Sequence, residues 1–351
     1  MHLIRPASEE SDGMSEKDCV LKVNELKTEF KVGKKTVHAV NGVSFELERG
    51  KTLCIVGESG CGKSVTAHSI LQLLPSNGYI ADGTVEYFPS AGVRMELSSF
   101  KRNSRRIKSV RGKEISMIFQ DPMSTLNPVY TVGDQILEML QNHEKISKRE
   151  AKLRIIKLLA DLGIPNPEIR FDQYPHEFSG GMKQRIMIAI AMICNPTILI
   201  ADEPTTALDV TIQAQILELI QKMQREHGTS VILITHNMGI VAEVADDVAV
   251  MYMGKIVELG SAEQIFSNPI HPYTKALMRS VPILGMKKEE ELYTIEGNTP
   301  DASTVFSGCE FAERCNYAKE ACFNRFPKDT EYEKGHHVRC LSFEEVLTDE
   351  N

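Results

Sequence analysis

The stretch that decides the fold is Gly57-Glu58-Ser59-Gly60-Cys61-Gly62-Lys63-Ser64. It follows the apolar run Lys51–Val56, which predicts a buried strand, and it opens the helical pattern Lys63–Leu74. Glycines let the backbone wrap around an anion with its N–H groups pointing inward, and the N-terminus of the following helix adds positive potential. The sequence therefore predicts a phosphate-binding loop, with Lys63 on the β- and γ-phosphates, Ser64 on Mg²⁺, and Val65 as the next contact.

Short apolar runs alternate with helical patterns around this loop, from about Val20 to Glu258. Alternation of this kind predicts an α/β fold, in which a mainly parallel sheet has helical crossovers. The predicted elements are strands at Glu114–Phe119, Thr197–Ala201 and Ser230–Thr235, a helix at Thr211–His227 ended by Gly228, and a hairpin of Val248–Met253 and Ile256–Leu259 turning at Gly254-Lys255.

Two acidic residues, Asp202 and Glu203, end the apolar run Ile198–Ala201. Acids at the end of a strand usually do no more than face solvent. In a chain that also carries a phosphate loop, they are typical of a hydrolytic site, since one acid can hold Mg²⁺ and the other can polarise an attacking water. We assign the Mg²⁺ ligand to Asp202 and the water to Glu203.

Two polar residues follow other strand candidates, Gln120 after Glu114–Phe119 and His236 after Ser230–Thr235. The carboxyl ends of parallel strands meet at one edge of a sheet, where ligands bind. We therefore expect Gln120 to contact the metal and the water, and His236 to hydrogen-bond the γ-phosphate.

A second candidate anion receptor is Ser179-Gly180-Gly181, which precedes the apolar helix Ile186–Cys194. Serine caps helices well, and glycines leave the first N–H groups of a helix exposed. The segment is either a helix cap and nothing more, or a receptor for a second ligand, or a receptor for a ligand shared with a neighbouring copy.

Composition bounds the class of protein. The 351 residues carry a net charge of −8, which argues weakly against a nucleic-acid binder. No run approaches the roughly 18 apolar residues of a membrane-spanning helix. Residues 1–19 are polar and predict a flexible tail, within which Met14 is an alternative start. The basic run Lys101–Lys113 is either a solvated face or a contact for anionic lipid or acidic partners.

The order of these motifs resembles that of ATP-binding cassette ATPases over roughly Val20–Gly260. The matching segments are GESGCGKS, Gln120 with Asp121, FSGGMKQR, ILIADEPT, Ala207-Leu208-Asp209 and Ile234–His236. The resemblance implies a P-loop NTPase domain over 20–260, with an inserted helical subdomain at about 125–195 and a C-terminal extension over 261–351.

In that family two cassettes face head to tail and enclose two ATP molecules. The resemblance implies that Ser179, Gly180 and Gly181 bind the γ-phosphate on the partner's loop. It further implies that Asp209 lies in the loop coupling the two sites, that Glu203 is the catalytic base, and that Phe30 stacks on adenine. Phe45 competes with Phe30 for that last role, and either of them is a core residue otherwise.

Phe178 and Met182 depart from the family's common leucine and glutamine. Both are shared with the oligopeptide/dipeptide importer branch, which the runs GGMKQRIMIAIA and IADEPTTALDVT and the segment Asn268–Thr274 also resemble. The resemblance implies a peripheral subunit on the cytoplasmic side of the membrane. Its partners would be a second ATPase subunit (a paralogue, or a second copy of this chain), two membrane-spanning permease subunits and an extracytoplasmic substrate-binding protein.

Other functions remain open at this point. The cargo is di- or oligopeptides, or else nickel or another small solute. A soluble cassette ATPase in translation, DNA repair or cluster assembly is disfavoured because the chain lacks a second cassette and a long coiled coil. An interaction module with a vestigial nucleotide site is disfavoured because all the catalytic residue types are present.

The C-terminal part of the chain is rich in cysteine: Cys309, Cys315, Cys322 and Cys340 are separated by five, six and seventeen residues. Four thiolates can hold Zn²⁺ or a [4Fe–4S] cluster. The absence of a C-x2-C pair argues against zinc, whereas His336 and His337 favour it. Some members of the peptide-importer branch carry an iron–sulfur cluster on such cysteines, so the resemblance favours that cluster over zinc or free thiols.

Overall fold

The computed structural model describes residues 19–121, 125–206, 208–280, 295 and 297–348. The predicted tail and the alternative start at Met14 lie outside this part of the chain, except that Cys19 already begins a strand. No helix in the described residues is long and apolar enough to cross a membrane.

The described residues form two sheets and a set of helices. The strands are β1 (Cys19–Val32), β2 (Lys35–Glu48), β3 (Thr52–Val56), β4 (Gly78–Ser90), β5 (Val93–Glu96), β6 (Ile115–Ile118), β7 (Ile198–Asp202), β8 (Ser230–Thr235), β9 (Asp247–Tyr252), β10 (Lys255–Ser261), β11 (Thr330–Glu333) and β12 (His336–Val338). The helices are α1 (Lys63–Ile70), α2 (Arg105–Val110), α3 (Val132–His143), α4 (Lys148–Asp161), α5 (Pro167–Arg170), α6 (Gly180–Met192), α7 (Val210–His227), α8 (Met238–Val244), α9 (Ala262–Ser267), α10 (Pro272–Arg279), α11 (Glu320–Asn324) and α12 (Phe343–Thr348).

The larger sheet has the order β11-β12-β10-β9-β3-β8-β7-β6, and its strands from β9 to β6 are parallel. All residues of β3, β7 and β8 are buried, as their continuous apolar sequences require when other elements cover both faces of the sheet. The α/β prediction is therefore confirmed. The predicted helix that ends at Gly228 is also confirmed, since Gly228 adopts φ +66° at its C-terminus.

The predicted hairpin forms from β9 and β10, but its turn lies elsewhere. Lys255 already pairs with Tyr252, so the two-residue loop is Met253-Gly254 and not Gly254-Lys255. Both loop residues have positive φ, at +42° and +78°, which is the geometry that lets a two-residue turn follow the twist of its strands. Gly254 meets this requirement without strain, whereas Met253 adopts a conformation uncommon for a side chain that size.

A second, antiparallel sheet of order β2-β1-β4-β5 packs beside the first, and the sequence analysis did not predict it. Its inner face buries apolar side chains that include Leu21, Leu26, Phe45, Val85 and Tyr87. This layer covers the face of β3 on which α1 also packs. Phe45 is thus a core residue.

Between β6 and β7 the described residues are helical. The hydroxyls of Thr131 and Ser147 accept hydrogen bonds from the first turns of α3 and α4, so both helices begin at capping residues. Ile136, Ile155 and Ile186, from α3, α4 and α6, share one apolar core. This core continues under the parallel sheet.

The described part of the C-terminal extension, predicted over 261–351, packs against the main sheet. β12 pairs with β10 and so extends the main sheet. Glu258 of β10 is fully buried and accepts hydrogen bonds from the N–H groups of Ile270 and His271 and from Nε2 of His336, at 2.7, 2.9 and 2.9 Å. One carboxylate therefore joins β10, β12 and the start of α10.

Replacing Glu258 tests this junction. In Glu258→Ala the buried N–H groups of Ile270 and His271 and the His336 ring lose their acceptor, so we expect the free energy of unfolding to fall by about 3 kcal/mol. Urea unfolding measures the change, and Glu218→Ala on the exposed face of α7 is the control. Equal stabilities of the two variants would contradict the role assigned to Glu258.

Candidate active site

The predicted phosphate loop lies between β3 and α1. Gly60 and Gly62 adopt φ +80° and +105°, which side chains rarely adopt. A Cβ atom on Gly62 would stand 2.4 Å from the carbonyl oxygen of Ala39, so only glycine fits there. Lys63 is 5% exposed, and its Nζ donates to the carbonyls of Gly57 and Glu58 at 2.8 and 2.9 Å. The lysine ammonium thus lies across the loop.

The two predicted Mg²⁺ ligands of the loop and the sheet meet. Ser64 Oγ donates to Asp202 Oδ1 at 3.0 Å, across the edge where β3 and β7 end. Burial raises the pKa of Asp202, although the hydrogen bond from Ser64 opposes the shift. A buried carboxylate with one hydroxyl donor is suited to a cation at this position.

Glu203 is the centre of a hydrogen-bond network. Its carboxylate accepts from Gln120 Nε2 at 3.0 Å and from Thr206 Oγ1 at 2.9 Å, and its Oε1 lies 3.3 Å from His236 Nδ1. Burial alone would raise the pKa of Glu203, but the hydrogen bonds from Thr206 and His236 and nearby positive charge lower it below its usual value. Glu203 is therefore ionised at neutral pH and can accept a hydrogen bond from water.

One cavity joins Lys63, Ser64, Gln120 and Glu203, whereas Asp202, Thr206 and His236 do not line it. Its lining is His38, Ala39, Ser59, Gly60, Gly62, Lys63, Ser64, Val65, Gln120, Glu203, Met253, Gly254 and Ala302. Sequence reasoning missed His38 and Ala39 of β2, the turn Met253-Gly254 and Ala302 of the extension. No motif marks them, and only the sheet order, which places β9 beside β3, brings the turn to the loop.

Several predicted nucleotide contacts lie outside this lining. Phe45 is buried in the core, and Phe30 is half-buried on β1 with its ring beside Gly78. Cys61 is buried beneath the loop. The side chain of Glu58 turns toward the extension, where it meets Thr299 and Arg314.

The second anion receptor is exposed and separate from the first. Ser179 stands at the N-terminus of α6, but its hydroxyl makes no cap hydrogen bond, contrary to its expected capping role. Gly180 and Gly181 approach Leu208 and Ile212 at the start of α7. Asp209 caps α7 by accepting from the N–H of Ile212 at 3.0 Å. None of the three receptor residues lines the phosphate-loop cavity.

The four C-terminal cysteines converge. Cys309, Cys315, Cys322 and Cys340 line one small cavity together with Phe311. Burial raises the pKa of Cys309 to about 11 and that of Cys340 to about 12. Within the described residues, no three His, Cys, Asp or Glu side chains are close enough to hold a metal ion.

The two histidines that favoured zinc lie apart from these thiols. His336 is bound to Glu258, and His337 lies 3.4 Å from Asp329. Neither lines the thiol cavity, so the histidine argument for zinc is wrong.

Comparison with known proteins agrees with this geometry. Residues 40–206 match the ABC transporter family, and residues 257–322 match the oligopeptide/dipeptide transporter C-terminal region. The dipeptide transport ATP-binding protein of Bacillus subtilis is 51% identical over 92% of this chain and 94% of its own length. The oligopeptide transport ATP-binding protein of the same organism is 50% identical over 91% of this chain and 88% of its own length.

Among solved structures, this chain is similar to a dimeric ATP-binding cassette in a post-hydrolysis state with ADP and Pi bound. The match covers 69% of this chain and 98% of the other chain, with a TM-score of 0.60 and 23% identity, so the two share the fold. A Clostridium perfringens protein from an ABC transporter complex covers 72% and 92%, with a TM-score of 0.59 and 27% identity. With half of its sequence shared with two transport ATP-binding proteins, and with the family's phosphate loop, acid pair and C-terminal region in place, the chain belongs to the ABC transporter ATP-binding family.

Proposed function

We propose that this chain hydrolyses Mg-ATP as the ATP-binding subunit of an ABC importer of di- and oligopeptides. The observation that carries the proposal is the Glu203 carboxylate, held by Gln120, Thr206 and His236 beside Lys63 and Ser64. The peptide cargo is supported by the C-terminal region and by the named transport functions of the relatives.

The residues divide the work of hydrolysis. Lys63 exchanges its two carbonyl acceptors for the β- and γ-phosphates when ATP enters, and the loop N–H groups bind the remaining phosphate oxygens. Ser64 and Asp202 would hold Mg²⁺, which would neutralise charge on the phosphates, and Gln120 would contact the metal and the attacking water. Glu203 orients and polarises the attacking water, and His236 hydrogen-bonds the γ-phosphate.

Two ATPase subunits complete the site. Ser179 and Gly180 are exposed, Gly181 is half-buried, and all three lie outside the cavity of their own chain, which supports binding to the γ-phosphate on a partner's loop. Asp209, exposed at the N-terminus of α7, would lie in the loop that couples the two sites. The partner is a paralogue or a second copy of this chain. Phe30 and His38 are the two candidates to stack on adenine. Of the two, His38 lines the cavity and Phe30 does not.

The inserted helical segment, at about 125–195, is the surface for two membrane-spanning permease subunits. It exposes large apolar side chains, which mark protein contacts when they occur together: Val129, Tyr130, Leu153, Ile169 and Tyr174. Docking there places the chain on the cytoplasmic face of the membrane as a peripheral subunit, with a substrate-binding protein on the opposite side.

We propose that the thiol cavity of the extension holds an iron–sulfur cluster and not zinc. Thiolates on one zinc ion lie close together because each Zn–S bond is about 2.3 Å long. Here the four thiols line one cavity, but no three of the described side chains are grouped closely enough to hold a single metal ion. Cys309, Cys315, Cys322 and Cys340 would supply the thiolates, and the cluster would serve as a structural link.

The assigned base is tested with Glu203→Gln. The amide keeps the shape of the side chain but cannot accept a proton, so we expect ATP turnover to fall by about 100-fold or more while ATP still binds and dimers accumulate. Phosphate release, nucleotide binding and size-exclusion chromatography measure these three effects. The control is Glu243→Gln, exposed on α8. Turnover equal to that of the control would remove Glu203 from the mechanism.

The fit of the phosphate loop is tested with Gly62→Ala. The new Cβ would collide with the Ala39 carbonyl, so we expect the Kd for a fluorescent ATP analogue to rise about tenfold or more. Gly92→Ala is a matched control, because Gly92 has φ +78° but an added Cβ meets nothing within 4 Å. If both variants bind ATP alike, the close approach to Ala39 does not shape the site.

The cluster is tested by anaerobic purification. We expect bound iron and a broad absorption band near about 400 nm, both lost in Cys309→Ser. Cys194→Ser is the control, since Cys194 lies outside the thiol cavity. A colourless protein that contains zinc, or no metal, would contradict the iron–sulfur assignment and leave the ATPase assignment standing.

A further inference from the structure

The extension reaches the phosphate loop through Arg314. Its guanidinium makes two hydrogen bonds to the Glu58 carboxylate, Nη1 to Oε2 at 2.7 Å and Nη2 to Oε1 at 3.0 Å. The Arg314 side chain is 5% exposed and the Glu58 side chain 25%, so the guanidinium end of the pair is largely shielded from water. The pairing with Glu58 raises the pKa of Arg314 further, and the guanidinium stays charged. Glu58 is the second residue of the phosphate loop, so the pair fixes the loop from outside.

Other contacts hold the same stretch of loop. The N–H of Glu58 donates to the hydroxyl of Tyr273 at 2.8 Å, and Thr299 Oγ1 donates to Glu58 Oε2 at 3.2 Å. The carbonyl of Glu58 accepts from Lys63. The backbone and the side chain of one loop residue are thus held by α10 and by the extension, and the phosphate-binding lysine is bonded to that same residue.

Aromatic packing makes the contact rigid. The Arg314 guanidinium lies 5.9 Å from the ring centres of both Tyr252 and Phe311. Those rings pack edge to face at 5.3 Å, and Tyr273 contacts both. Arg314 Nη1 also donates to the Tyr252 hydroxyl at 3.3 Å. The ring contacts and the bidentate bond to the Glu58 carboxylate together restrict the guanidinium to one position.

Arg314 lies in a short turn that is flanked by two of the thiols. The short helical turn Ala312–Arg314 lies between Cys309 and Cys315, and it is closed by hydrogen bonds from Ala312 N–H to Cys309 O and from Cys315 N–H to Ala312 O. The N–H of Cys309 in turn donates to Cys322 O at 2.7 Å. A shift of these cysteines therefore shifts Arg314.

We infer that the cysteine-rich extension is part of the nucleotide site, with Arg314 as a positioning residue that holds the phosphate loop in its binding shape through Glu58. The arrangement of the thiols sets the position of Arg314, and thereby the affinity for ATP. The inference rests on the proposed nucleotide binding. It goes beyond that proposal by giving the extension a role in ATP affinity.

Arg314→Met keeps much of the side-chain volume and removes the ion pair. We expect the Kd and the KM for ATP to rise about tenfold, while kcat at saturating ATP changes less than about threefold, because no catalytic group is touched. Arg314→Lys should recover part of the affinity, since a lysine supplies charge without the bidentate geometry. Glu58→Gln should raise the Kd on its own, and the Arg314→Met/Glu58→Gln pair should be no worse than Arg314→Met alone.

The matched control is Arg339→Met, which removes another arginine of the extension. Arg339 lies 3.8 Å from Glu25 and 3.4 Å from the Gly42 carbonyl, away from the loop. We expect this variant to keep its ATP affinity. If Arg314→Met binds ATP with the affinity of the wild-type protein, this inference is overturned and the proposed function stands. If the wild-type protein itself fails to bind ATP, the proposed function is overturned as well. If Arg314→Met does not fold, Glu58→Gln decides by the same Kd measurement.

The route from the thiols is tested with Cys309→Ser/Cys315→Ser. We expect these changes to raise the Kd for ATP when Arg314 is present and to add nothing in the Arg314→Met background. If the cysteine changes and Arg314→Met raise the Kd additively, the cysteines do not act through Arg314. An unchanged Kd in the cysteine variant would contradict the inference in the same way.

Discussion

The parallel pairing of β7, β8 and β3 is the constraint on which the site depends. Val56 pairs with Thr235, and Ile234 pairs with Asp202, so three strands end side by side. Glu203 then adopts φ +46°, and its N–H still donates to Ile234 O at 2.9 Å. A left-handed residue of this kind costs about 1 kcal/mol, which the sheet on either side can sustain. The turn directs the Glu203 carboxylate toward the residues that follow the other strands.

The chemistry of the site was largely predictable because it lies in residues directly after strands. A phosphate loop requires glycines and a lysine in a fixed order, so the places of Lys63 and Ser64 between β3 and α1 could be predicted from sequence alone. Once the strands are taken as parallel, their ends must meet, which is why the meeting of Gln120, Glu203 and His236 was expected. The role of Thr206 as a third hydrogen-bond donor to Glu203 was not predicted, since a threonine in a loop carries no distinctive signal.

The antiparallel sheet and the place of the extension were not predictable on the same grounds. β1 and β2 pair with several irregularities in register, one of them near Glu25 with φ +48°, so apolar residues do not alternate regularly along them. Glu258 looks like an exposed strand residue, and only the return of β12 and the start of α10 enclose it. Contacts between residues about 80 positions apart, as for Glu258 and His336, leave no local pattern.

The two adjacent acids show how hydrogen bonding assigns different roles to equal side chains. Burial favours the neutral form of both Asp202 and Glu203, as the largest influence on each pKa. Asp202 receives a hydrogen bond from Ser64 and keeps a raised pKa, whereas Thr206 and His236 stabilise the charge of Glu203 and lower its pKa. For Asp202 the one hydrogen bond from Ser64 does not offset the effect of burial, so a nearby cation would stabilise its charged form. For Glu203 the hydrogen bonds offset burial, so its charged form is favoured without a cation. The same strand end thus places two adjacent carboxylates in different environments, which supports the proposed roles of Asp202 as metal ligand and Glu203 as base.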